Sequence, residues 1–253
     1  MQVPLGVQVW SVRNQLQDNA EAVFSKLAAA GYTFIEPAGF NIAEKTMQGF
    51  LPLELKRMAG AHGLEIISGH FHFSVEATHA VCEAAVQMGM KYIVRSFFQN
   101  EVIQNTDYYK QAADTLNHMG ETAKMYGLQL AYHNHAHEFD AVNGILPFDV
   151  LLEKTDPELV NFQADLGWMV YAGHSPQEYF KKYPGRFPLW HLRDIDATSK
   201  KSTTIGEGMV PFKSIFSEKG KAGLKYAMME MSSDTEDPLE KIIDSYSVLN
   251  KGF

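Results

Sequence analysis

Runs of apolar, β-branched and aromatic residues alternate along the chain with segments whose apolar positions recur at helical spacing, and the junctions between them repeat. Helix-period segments end in glycine and an apolar run follows at once, in KLAAAGYTFIEPAGF, RMAGAHGLEIISGHF, VQMGMKYIVRSFF, AKMYGLQLAYHNH and KAGLKYAMMEMSS. A glycine there supplies the left-handed residue that stops a helix and returns the chain to the sheet. Adding the opening VPLGVQVWSV, then VNFQADLGWMVYAG and FPLWHLRDID, gives eight strands. The 253 residues then divide into units of about 32, enough for a strand, a helix and two loops. Ser175-Pro176-Gln177-Glu178 reads as a helix start, with serine capping, proline in the first turn and glutamate closing a capping box. No linker, low-complexity tract or composition shift marks a second domain. Residues 1–253 therefore predict a single-domain closed parallel (β/α)8 barrel, with an open doubly wound sheet as the fallback.

A barrel carries its chemistry at the C-terminal ends of its strands, where the strand-to-helix loops build one face. Residues of ligand type stand where the apolar runs end: Glu36 after YTFI, His70 after IISG, His133 and His135 after LQLAY, Asp165 after NFQA, His191 after FPLW and Glu230 after YAMM. Residues i and i+2 of a strand share a face, so at least two of the three histidines of LQLAYHNHAHEFD can address one ligand. His137 reads instead as a solvated loop residue. Buried carboxylates and imidazoles are costly unless paired or bound to metal, so their convergence on one rim asks for a cation or a catalytic network.

Charge narrows the partners. A formal net charge of -8 and a pI near 5.7 argue against nucleic acid or an anionic membrane, since both call for a cationic surface. The one cysteine, Cys82, lies in an apolar helix-like segment, permits no intrachain disulfide and reads as core. No run approaches 18 apolar residues and no secretory pattern opens the chain, so a cytoplasmic protein is expected; a trimmed export signal is also compatible with a strand that begins near Met1.

The order YHNHAHEF, ADLGWMVYAG, HLRD, GEG and MMEM resembles the xylose isomerase-like barrel superfamily, which holds sugar isomerases and epimerases, inosose dehydratases and AP endonucleases. The resemblance runs from LGVQVWSVR to DPLEKIIDSYSVL. In its ketose 3-epimerases one divalent metal is held by Glu, Asp, His and Glu from four strands, and the two glutamates exchange the proton. Carried over by position, the resemblance implies Asp165, His191 and Glu230 as ligands. Taken singly, Asp165 would cap the turn before Gly167 and His191 would be a satisfied core histidine. The first glutamate does not carry over. His133 stands in its place, in a YHNH context closer to the inosose dehydratase pattern, and joins the expected ligands while His135 reaches toward substrate. Glu230 is the expected base, with His133 or His135 as second acid or base. A mixed oxygen and nitrogen set suits Mn, Co, Fe(II) or Mg, with Zn also compatible.

The expected activity is metal-dependent isomerisation or epimerisation of a keto sugar through an enediolate. The alternative is elimination, as in dehydration of a keto-inositol or cleavage of a 3-keto-glycoside, because both routes begin by removing an α-proton. An AP endonuclease is disfavoured by the acidic charge and by the lack of further His and Glu ligands. A non-catalytic sugar-binding barrel would keep the aromatic residues and lose the ligands. The expected partner is a small carbohydrate, and assembly into a homo-oligomer is compatible with the sequence. Trp10, Phe71, Phe97, Trp168 and Trp190 lie near strand ends, where a flat ring can meet the carbon face of a sugar. Trp168 follows Asp165 by three residues, where the epimerases often carry a substrate-contacting histidine; Trp190 flanks His191 and reads as core. Substrate contacts are expected from Trp10, Trp168, Glu36, His70 and Arg193. The competing readings are a buried Glu36–His70 pair and a rim salt bridge from Arg193 to Asp194 or Asp196. Gly206 and Gly208 allow a tight turn around Glu207, and GEG opens no phosphate-binding loop.

Overall fold

The computed structural model describes residues 3–96, 105–232 and 234–251; Phe97, one of the aromatic candidates, lies outside the described residues. Eight parallel strands form the centre: Leu5–Gln8, Phe34–Glu36, a third in two pieces (Glu65–Ile66 and Ser68–His70), Tyr92–Ser96, Gln129–His133, Val160–Asp165, Leu189–Leu192 and Tyr226–Met229. Each pairs with the next, and the eighth pairs with the first, Leu5 standing opposite Ala227 and Val7 opposite Met229. The third strand completes the ring in an unusual way. Its first piece pairs with the second strand and its second piece with the fourth, so the chain changes partner at Ile67 without leaving the wall. The expected barrel is thus the observed one.

The interior is layered by the two-residue period of the strands. Phe34, Ile67, Val94, Ala131, Leu189 and Met228 form a small apolar cluster of their own. Two residues further along five of these strands come Glu36, Ser96, His133, His191 and Glu230, all buried. An apolar plug therefore carries a polar layer directly above it, at the C-terminal ends of the strands. The larger core lies between the wall and the outer helices, among them Arg13–Ala30, Thr78–Met88, Thr106–Met125 and Pro238–Asn250. Trp190 belongs to it as expected, fully buried and stacked on Phe180 at 4.9 Å. Cys82 is likewise fully buried. Gly31 ends the first helix at φ 112°, and a Cβ there would overlap the Tyr246 ring. No helix among the described residues is long and apolar enough to cross a membrane.

Two local expectations are corrected. The opening strand stops at Gln8, because the Gln8 side chain accepts from the Trp10 N–H at 3.0 Å and bends Val9–Val12 into a 3-10 turn. The capping box at Ser175 does not form. Its hydroxyl meets Gln177 Oε1 at 3.1 Å, and Pro176 alone keeps its expected place in the first turn.

Candidate active site

His191 sits at the centre of the polar layer with both ring nitrogens engaged. Nδ1 lies 2.6 Å from Glu230 Oε2, and Nε2 lies 2.5 Å from Glu36 Oε2. Both the ring and Glu36 are fully buried. Burial disfavours the imidazolium, yet the Glu230 and Glu36 carboxylates outweigh it and hold the His191 pKa up at about 10. Burial likewise penalises the charge on Glu36, but His70 and His191 prevail and keep its pKa below the usual carboxylate range.

Glu36, expected either to meet substrate hydroxyls or to pair with His70, is enclosed by protein donors. Its oxygens accept from Gln8 Nε2 at 3.1 Å, Ser68 Oγ at 2.5 Å and Gln163 Nε2 at 2.8 Å, besides His191. No face of the carboxylate remains for a ligand. His70 lies beside it, with Nε2 2.7 Å from Gln163 Oε1 and 3.4 Å from Glu36 Oε2. The buried pair is thus present, widened by Gln163 into a network.

Arg193 departs from the alternative sequence reading in a similar way. It makes no ion pair with Asp194 or Asp196. Its Nε is 2.9 Å from Asp165 Oδ2 and its second terminal nitrogen 2.7 Å from Glu230 Oε2, while Ser202 and Ser232 hold the remaining nitrogen. The guanidinium also stacks on Trp168, 5.0 Å from the ring centre. The turn cap expected of Asp165 taken singly is real as well, since Oδ1 accepts from the Trp168 N–H at 2.9 Å. Asp165 thus uses one oxygen to start the helix Leu166–Tyr171 and the other to face the site. Glu230 is held ionised: burial opposes this, and the Arg193 and His191 charges overcome it.

The fifth strand brings the histidines. His133 is buried within 5 Å, centre to centre, of the His70, His135 and His191 rings. Burial, then the neighbouring His191 charge, drive its pKa well below the ordinary value. His135 is pushed down to about 3, mainly by burial. Both are neutral bases at physiological pH. The loop that follows is fastened by Glu138, which accepts from Tyr132 Oη at 2.7 Å and from the His135 N–H at 2.8 Å. His137, read as solvated, stacks on His135 with Nε2 3.3 Å from Glu138. Trp168 is half-buried near His135, with ring centres 6.4 Å apart. Trp10 is exposed, with Arg13 stacked on it at 4.7 Å.

Sequence reasoning missed Gln163, Asn134, Gln8 and Ser68. Gln163 was within reach, because it lies two residues before Asp165 and so shares its face. Asn134 accepts from the Asp165 backbone N–H at 3.1 Å and fixes the end of the sixth strand.

His133, Asp165, His191 and Glu230 offer one ligand atom each, all within 4.8 Å of one another. This buried cluster can hold a cation. Two observations fit a divalent one. The Nδ1 of His133 is buried with no hydrogen-bond partner. The carboxylates of Glu36, Asp165 and Glu230 also outnumber the Arg193 guanidinium by two, or by one while His191 is an imidazolium, and a divalent metal that displaced the His191 proton would supply the balance.

Known proteins agree with this architecture. The chain is 27% identical over 241 residues to an inosose dehydratase of Bacillus cereus, an alignment that spans 79% of this chain and 77% of that protein. Its structure is similar to a sugar phosphate isomerase/epimerase from Parabacteroides distasonis, with a TM-score of 0.88 and 25% identity over 99% of this chain and 98% of the other. It shares its fold with the zinc-bound IOLI protein, at a TM-score of 0.73 and 13% identity over 98% and 95% of the two chains. The model of the xylose isomerase-like TIM barrel family matches residues 24–251, and the chain belongs to that family.

Proposed function

We propose that the protein is a divalent-metal-dependent enzyme that removes the α-proton of a keto carbohydrate, such as a keto-inositol, and eliminates the β-hydroxyl as water. The observation that carries this reading is a ligand cluster in which Glu230 reaches 9% exposure while its other carboxylate, Asp165, is sealed at 0%. Bound at His133, Asp165, His191 and Glu230, a divalent cation would supply Lewis acidity for the negative charge that develops on the substrate carbonyl. Glu230 is ionised and takes the proton from carbon. Arg193 holds it in place through the 2.7 Å contact. The same carboxylic acid then returns the proton to a β-hydroxyl on the same face, the C–O bond breaks, water leaves and the carbon–carbon double bond forms.

A single acid–base group suffices for this syn elimination. Epimerisation calls for a second group that delivers a proton from the opposite face, and His133 and His135, both held neutral by burial, are poor donors for it. The similarity to an inosose dehydratase supports elimination. The likeness to a sugar phosphate isomerase/epimerase supports the second reading, in which the proton returns to carbon.

The test is a screen of inososes, ketohexoses and 3-keto-glycosides with added Mn or Co in D2O. An inosose is expected to yield a near-ultraviolet absorbing unsaturated ketone, with the signal abolished in Glu230→Gln. Deuterium in a recovered or isomerised sugar, without that chromophore, would select the isomerase reading. Neither exchange nor elimination on any of these substrates by metal-loaded protein would overturn both.

A further inference from the structure

We infer that Glu36 is the positioning residue of the centre, holding His191 with its proton on Nε2 so that Nδ1 is the nitrogen offered to the metal. The inference rests on the metal reading above and adds the choice of ring nitrogen and the residue that makes it. An ionised carboxylate only accepts hydrogen bonds, so the contacts of His191 with Glu36 and with Glu230 place a proton on each ring nitrogen, and metal binding would displace one of the two. A metal-bound neutral imidazole has one proton to place. With it on Nε2, the lone pair is on Nδ1, the nitrogen 2.6 Å from Glu230, which belongs to the ligand cluster as Glu36 does not. A carboxylate behind a ligating imidazole fixes its tautomer and its rotation and raises its basicity.

Glu36 is itself over-determined, which is what a positioning group requires. Donors from three other strands converge on it: Gln8 from the first, Ser68 from the third and Gln163 from the sixth. The Gln163 amide is oriented by this same contact. Its nitrogen must face Glu36, so its oxygen faces His70 and takes the Nε2 proton of that ring at 2.7 Å. His70 then lies parallel to His191, 2° between planes and 5.2 Å between centres, and limits the tilt of the ligand ring. Both rings are thus set from one carboxylate. The arrangement also accounts for a buried glutamate at a strand end whose oxygens are taken up by protein donors.

Two measurements test this. Wild-type protein labelled with nitrogen-15 in histidine and loaded with Zn should show His191 protonated at Nε2 with a metal-shifted Nδ1, the signals being assigned by their loss in His191→Gln. The second measurement is Zn and Co affinity by competition with a chelator. Glu36→Gln keeps the shape of the side chain and removes its charge, and should weaken binding by about 10- to 100-fold while the thermal transition remains cooperative. His191 protonated at Nδ1 in the Zn form, or a folded Glu36→Gln variant with unchanged affinity, overturns the inference and leaves the metal site standing. A wild type that takes up neither Zn, Co nor Mn removes the metal reading, and the inference with it. Should Glu36→Gln fail to fold, the wild-type ring measurement decides alone.

Discussion

Arg193 is the residue on which the balance of the site turns. It is buried between Asp165 and Glu230, two carboxylates that would otherwise repel each other in a medium of low dielectric. Removing one partner of a buried ion pair is costly because it strands the other, on the order of 3–5 kcal/mol. Arg193→Met should therefore destabilise the metal-free protein by about that amount. A divalent cation can replace the missing charge, so Mn should recover more stability in the variant than in the wild type. Urea unfolding with Mn or with chelator measures both, and an equal loss under the two conditions would contradict this role. The sequence disclosed part of the picture. Asp165, His191 and Glu230 were legible because each stands where an apolar run stops, and a two-residue period says which way they face. Glu36 was legible as a buried polar residue, but its partner Gln163, 127 positions away, was not, because periodicity shows which face a residue occupies but not what stands across the barrel.

Among the elements, the excursion after the seventh strand shows how a loop is made rigid. Asp194 is fully buried, and its two oxygens accept from four backbone N–H groups: Ile195 at 2.9 Å, Val210 at 3.1 Å, Gly206 at 2.8 Å and Gly208 at 3.0 Å. A Cβ at Gly208 would overlap that carboxylate, so the glycine is there for close approach. The GEG segment is thus a backbone clamp around a buried acid. The same excursion carries Ser202, in a short hairpin of Asp194–Ile195 with Ser202–Thr203, and Ser202 contacts Arg193 at 3.2 Å. Asp194→Ala strands four donors at once. Charge-assisted hydrogen bonds contribute about 1.5–3 kcal/mol each, and partial solvation of the opened loop reduces the sum, so a net loss of at least about 3 kcal/mol is expected. Hydrogen exchange should show the excess locally, across residues 195–210, before global unfolding. Protection there equal to wild type would refute the clamp. Helix ends were legible from their glycines, whereas this clamp was not, since a single aspartate after a strand gives no sign of which amides will surround it.

At the scale of the whole molecule, the barrel is closed by contacts between the two ends of the chain. The first strand pairs with the eighth, Tyr32 Oη donates to the Ile242 carbonyl at 2.7 Å, and the Tyr32 ring meets Tyr246 edge-on. The polar layer therefore draws on all eight strands of one cooperative unit, and a ligand that ties several of them together should stabilise the entire fold. Binding to the native state alone contributes RT ln(1 + [L]/Kd), about 2.7 kcal/mol when metal is at 100 times its dissociation constant. For a chain of this size each kcal/mol moves the transition by roughly 2–4 °C, so saturating Mn or Co should raise Tm by about 5–10 °C over protein in chelator. Asp165→Asn separates this from a general salt effect. It keeps an oxygen to cap Trp168 and removes the charge that the cation needs, so its own Tm should respond little to metal. A wild-type Tm indifferent to every divalent cation tried would argue that the polar layer holds its carboxylates with Arg193 and the His191 imidazolium and takes up no metal. An upward shift in wild type that disappears in Asp165→Asn would locate the binding in the polar layer and tie it to the stability of the closed barrel.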